Sequence, residues 1–128
     1  PRILLIRPSA LGDVCKSVPA LTSLRRAFPR SRIDWLVQDI FADAVRFHPD
    51  LTGVIEFPRH ELSRSIRGGR VGPLAEFVRR LRTPRYDIVF DLQGLLRSGV
   101  FARLTGAARR VGPADAREGG WIFYTERH

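Results

Sequence analysis

The run Ile3-Leu4-Leu5-Ile6-Arg7-Pro8-Ser9-Ala10-Leu11-Gly12-Asp13-Val14 decides the fold. Ile3 to Ile6 are consecutive large apolar residues bounded by Arg2 and by Arg7-Pro8, which predicts a short strand buried on both faces, as in a parallel sheet. Val14, Val18, Leu21, Leu24 and Phe28 then recur at close to helical spacing with Lys16, Arg25 and Arg26 between them, so an amphipathic helix is expected from about Asp13 to Phe28. Strand, loop and helix in that order open a βαβ unit. The loop puts Ser9, Gly12 and Asp13 at the carboxyl end of the strand and the amino end of the helix. Unpaired backbone N–H groups and the helix dipole favour anions there, and open α/β sheets bind their ligands at that edge.

The loop has a single glycine and matches neither G-x-G-x-x-G nor G-x-x-x-x-G-K-[ST], so both standard nucleotide fingerprints are absent. Asp13 is a fixed negative charge where a bound phosphate would sit. It would repel the phosphate, and a carboxylate there is better used as a base; the alternative is that it merely complements the helix amino terminus.

Further along, Arg32 to Val37 reads as a second strand, Ile40 to Phe47 as a short helix, and Val54 to Phe57 as a third strand stopped by Pro58. From Arg59 to Gly72 the chain holds Arg59, Arg64, Arg67 and Arg70 among serines and glycines, which reads as a mobile basic loop at the ligand edge. It would either close over an anion or serve as a solvated connector. Leu74, Phe77, Val78 and Leu81 mark a regular helix. Tyr86 to Asp91 is a fourth strand, Asp91-Leu92-Gln93-Gly94 a turn, and Leu95 to Thr105 a helix with Arg97 and Ser98 in its first turn. Arg109 to Gly112 is a brief fifth strand, and Pro113 to His128 a loop-rich tail without a sixth strand. A doubly wound α/β domain with strand order 3-2-1-4-5 follows, in which Asp13 and the Asp91 to Ser98 turn face one another at the topological switch point.

The 128 residues fit one domain, 1–128, and the hydrophobic fraction of 44% is enough for a real core. Cys15 is the only cysteine, which excludes an internal disulfide; beside the apolar stripe it reads as a small buried thiol. His48, His60 and His128 have no ligand-like spacing, which argues against a structural metal. No apolar run approaches a signal-peptide core or a membrane span, so a soluble cytoplasmic chain is expected. The net charge of +9, carried by 22 Lys and Arg of which only Lys16 is a lysine, calls for an anionic partner, and arginine's fork suits phosphate and carboxylate.

The residues themselves carry a resemblance. I-L-L-I-R-P-S-A-L-G-D-V…P-A-L, I-D-W-L-V, Y-D-I-V-F-D-L-Q-G-L-L-R-S and A-R-E…F-Y…R-H, in that order over nearly the whole chain, resemble the bacterial lipopolysaccharide heptosyltransferases of glycosyltransferase family 9. The resemblance implies a GT-B architecture of two Rossmann-like domains, with this chain as the amino-terminal, acceptor-side half and a carboxyl-terminal donor-binding domain absent. It implies that Asp13 is the general base in inverting transfer of heptose from ADP-heptose to the inner core. Ser9, Gly12 and Gln93 would then line the donor-sugar cleft, and Arg59, Arg64, Arg67, Arg70, Arg97 and Arg117 would meet acidic groups of the anionic lipopolysaccharide acceptor. No metal or other cofactor is implied, and transient contact with the inner face of the inner membrane is.

Two other classes use some of the same features. A nucleic-acid-binding domain would interleave its arginines with exposed aromatics, whereas the aromatics here fall at apolar positions, so no nucleic-acid partner is expected. A nucleotide-binding Rossmann domain of another function would need the missing glycine fingerprint.

Overall fold

Arg2–Ile6 forms β1, whose apolar residues are fully buried, at the middle of a parallel sheet. The computed structural model describes residues 1–114 and 119–127. After β1 come α1 (Leu11–Lys16), α2 (Val18–Ala27), β2 (Arg32–Gln38), a 3-10 helix (Asp39–Ala44) and β3 (Gly53–Phe57). The second half continues with α3 (Arg59–Arg67), α4 (Gly72–Arg82), β4 (Ile88–Asp91), α5 (Leu96–Leu104), β5 (Arg109–Gly112), a 3-10 helix (Gly120–Phe123) and β6 (Glu126–Arg127). The strands are all parallel in the order β3-β2-β1-β4-β5-β6, with Leu4 opposite Asp34 on one side and Val89 on the other.

Alternation along β1 divides the core. Ile3 and Leu5 join Trp35, Val37, Val14 and Leu21 under α1 and α2, while Leu4 and Ile6 join Leu36, Phe57, Phe77, Leu81 and Phe101 under α3, α4 and α5. At the amino end of the strands the Tyr86 hydroxyl donates to Asp34 Oδ2 at 2.6 Å, and Arg32 Nε pairs with the same oxygen at 3.0 Å. Burial, and then the bond to Asp34, push the Tyr86 phenol far above its usual value, so it stays a donor. Tyr86 and Asp87 thus precede β4 and do not belong to it.

Four expectations are corrected. The single helix over 13–28 is two helices broken at Ser17: Pro19, at the start of α2, has no N–H to continue the α1 ladder, and the Ser17 hydroxyl donates to the Asp13 carbonyl at 2.9 Å. Residues 59–67 are not a loop but α3, which buries Leu62 and Ser65 and is stopped by Gly68 and by Gly69 at φ +74°. The tail supplies a sixth strand, with Val111 opposite Glu126 and Arg109 Nε 2.9 Å from Glu126 Oε1. Cys15 is exposed, because α1 turns only Val14 fully into the core. Among the described residues no helix is long and apolar enough to cross a membrane.

Candidate active-site crevice

The strand order reverses between β1 and β4, so the turns leaving their carboxyl ends lie side by side with nothing from the sheet between them. The Leu92 N–H donates to the Ile6 carbonyl at 2.9 Å on one side, and the Arg7 N–H to the Leu36 carbonyl at 3.2 Å on the other. The Arg7 guanidinium joins the two turns: Nη1 donates to the Leu92 carbonyl, and Nη2 lies 3.2 Å from Asp13 Oδ2. Arg7 is mostly buried, and its Nε is enclosed without a partner, whereas the Asp13 carboxyl is 50% exposed and open to solvent. Asp13 and Gln93 therefore occupy neighbouring turns at one edge, as the switch-point reading requires. Beside them, a Cβ on Gly12 would meet nothing within 4 Å, so that position opens onto free space.

The β4 turn is rigid. Asp91, 2% exposed, accepts from the Gln93 N–H at 2.9 Å, the Gly94 N–H at 3.3 Å, the Ser98 hydroxyl at 2.8 Å and the Tyr124 hydroxyl. Burial holds the Asp91 carboxyl above the usual carboxylate range, against the opposing pull of those four donors. Gly94, at φ +72°, turns the chain in the left-handed region that side chains disfavour. Burial and the Asp91 contact push Tyr124 upward too, and its ring lies where a side chain on Gly112 would have to go. Gln93 Oε1 is buried without a partner at this turn. Next to it a cavity of about 250 Å³ is lined by Phe90, Asp91, Leu92, Val111, Gly112 and Pro113.

The basic residues divide between two places. Arg59, Arg64 and Arg67 are exposed on α3, and Arg70 follows it. Arg97, in the first turn of α5, lies 5.2 Å from the centre of the Phe57 ring and lines the same groove as Arg59. Arg117 lies outside the described residues. Among the described residues no group of His, Cys, Asp and Glu is arranged to hold a metal ion.

Sequence reasoning singled out Asp13, Ser9, Gly12 and Gln93, which share this edge, and placed the Asp91 to Ser98 turn there, but it missed Arg7, Tyr124 and the role of Asp91 as the buried acceptor that holds the turn. For Arg7 a signal existed, an arginine leaving a buried strand six residues before the acid; Tyr124 stood in the F-Y stretch of the resemblance, but its bond to Asp91 arises only through the fold.

The family model for glycosyltransferase family 9 (heptosyltransferase) matches residues 74–128. The chain is 38% identical to lipopolysaccharide heptosyltransferase 1 of Pseudomonas aeruginosa over 82% of its length and 30% of that protein's. It is 31% identical to the Escherichia coli K12 protein of that name over 99% of its length and 41% of the relative's. It thus spans less than half of the curated relatives it matches. In three dimensions the whole chain superposes on 42% of the Escherichia coli heptosyltransferase WaaC solved with ADP-2-deoxy-2-fluoro heptose, with a TM-score of 0.86 and 29% identity. A family 9 glycosyltransferase from Veillonella parvula gives a TM-score of 0.79 at 26% identity over 99% of this chain and 35% of that one. The family model, the relatives at 38% and 31% identity and the matching fold together show that this chain belongs to glycosyltransferase family 9.

Proposed function

We propose that the chain is the acceptor-side part of an inverting heptosyltransferase of lipopolysaccharide core assembly, and that Asp13 is its general base. The single observation that carries the reading is the convergence of Asp13 and the Asp91–Ser98 turn at the switch point, joined by Arg7. The Asp13 carboxylate takes the proton of an acceptor hydroxyl. That oxygen attacks the anomeric carbon of ADP-heptose from the face opposite the diphosphate, the old carbon–oxygen bond breaks, and ADP leaves with the electron pair. Arg7 keeps one carboxylate oxygen in place, so the half-exposed group meets the hydroxyl in a fixed orientation. Ser9, Gly12 and Gln93 line the donor-sugar side. Arg59, Arg64, Arg67, Arg70, Arg97 and Arg117 take the acceptor's anionic groups, and the basic α3 face rests on an anionic membrane surface.

The reading is tested by Asp13→Asn in an enzyme that carries this chain together with a donor-binding domain. The substitution keeps the shape and removes the basicity, so kcat is expected to fall by about 10² to 10⁴ with little change in donor affinity. Turnover near that of the wild type would remove Asp13 from the role of base.

A further inference from the structure

At the amino edge of the sheet, opposite the crevice, an open recess of about 510 Å³ lies where α4 and α5 end and β4 begins. Arg82 and Arg85 line it, both exposed, and neither guanidinium has a partner among the described residues. Arg85 is also the one described residue other than glycine with a positive φ, at +54°. It closes the turn after α4, its N–H donating to the Arg82 carbonyl at 3.1 Å, in a backbone region that glycine enters without steric cost and arginine does not. The turn is fixed from outside as well, since Arg2 Nη1 donates to the Pro84 carbonyl at 2.6 Å. Arg82, in the last turn of α4, is accounted for by the negative end of the helix dipole. Arg85 lies beyond the helix, and a long cationic side chain held in strained backbone with no partner in the chain points to a partner outside it.

The rest of the lining narrows the chemistry. Asp87 accepts the Arg2 backbone N–H on Oδ2 at 2.8 Å, which leaves Oδ1 as an acceptor facing a ligand that brings hydroxyls. The Thr105 hydroxyl is already spent, donating to the Ala102 carbonyl at 2.7 Å and accepting from the Ala107 N–H at 3.1 Å. Gly106 stands at φ +76° with open space where a side chain would go, so that wall does not close the recess. Two guanidinium forks suit the oxygens of one phosphate, and a carboxylate beside them repels a bare phosphate but binds a hydroxyl next to it. At roughly 30 Å³ for each water displaced, the recess has room for about seventeen, far more than one phosphate needs. We propose that this amino-edge recess is a second ligand site that binds a small hydroxylated phosphate monoester, with the phosphate on Arg82 and Arg85 and a hydroxyl on Asp87. It shares no residue with the crevice, so it stands or falls independently of Asp13 as base.

The test is calorimetric titration of the 128-residue chain with glucose 6-phosphate at fixed ionic strength, with inorganic phosphate and glucose as controls. Glucose 6-phosphate is expected to bind more tightly than inorganic phosphate, and glucose not to bind. Arg82→Gln and Arg85→Gly should each weaken glucose 6-phosphate about tenfold or more, as loss of a charge-assisted contact dictates. Arg26→Gln, which removes the same charge from an exposed position on α2, should leave the affinity unchanged. Asp87→Asn should narrow the gap between glucose 6-phosphate and inorganic phosphate, because it removes the repulsion that the bare ion meets. Arg85→Gly carries a second readout: with the strain relieved, the ligand-free variant should melt a few degrees above the wild type, so weaker binding cannot be put down to misfolding. No binding of glucose 6-phosphate, equal affinity for inorganic phosphate, or a loss of affinity in Arg26→Gln as large as in Arg85→Gly would overturn the proposal. So would a lower melting temperature in Arg85→Gly, which would mean that the arginine is kept for contacts within the chain.

Discussion

Asp91 and Arg7 hold the crevice together in opposite ways. Arg7 is a partly buried cation that reaches outward to Asp13, while Asp91 is a buried acid that gathers two backbone N–H groups and two hydroxyls around itself. Burial disfavours the ionised form of Asp91, so the folded chain keeps that proton to higher pH than the unfolded chain does. The resulting stabilisation is complete below about pH 4, where the unfolded residue titrates, and is lost as pH rises through the raised folded value. Asp91→Asn has no such proton, so by scanning calorimetry the Tm of the variant minus that of the wild type should increase as pH rises from about 4 through that window. A difference that shrinks with rising pH would contradict the assignment. At this scale the sequence shows Asp13 and Gln93 through their turns, because a polar turn after a buried strand is a local pattern. The Tyr124–Asp91 bond spans 33 residues and has no local pattern at all.

The strands and most helices were legible from short apolar runs and helical apolar spacing, and β5 runs over Arg109–Gly112 as expected. α3 was not legible, since only Leu62 and Ile66 mark its helical face and the buried Ser65 counts as polar in any pattern. β6 has two residues, both exposed, and is held by register and an ion pair with β5 and not by hydrophobic alternation. Forming a helix fixes Arg59, Arg64 and Arg67 on one element, and on the proposed reading that constrains how they can meet the acceptor's anionic groups. Replacing Arg59, Arg64, Arg67 and Arg70 by glutamine, in an enzyme that includes a donor-binding domain, should raise the acceptor KM by about tenfold or more while changing the donor KM little. An equal effect on the donor KM would reject the acceptor assignment.

At the scale of the molecule, the parallel order β3-β2-β1-β4-β5-β6 brings the two informative turns to one edge. The fold class was readable from the opening strand, loop and helix because a buried parallel strand followed by an amphipathic helix has few other uses. Transfer needs the anomeric carbon held close to the acceptor hydroxyl and to Asp13, and such positioning is worth on the order of 7 to 11 kcal/mol in favourable systems. On the proposed reading this chain supplies an acceptor edge and a base, and its sequence holds neither standard nucleotide-binding glycine fingerprint. The most direct test is a single-turnover assay of heptose transfer with this chain alone, with a donor-binding domain supplied, and with Asp13→Asn in the supplied pair. Product is expected only when both halves are present and Asp13 is intact; transfer by the isolated chain, or transfer undiminished by Asp13→Asn, would contradict the assignment.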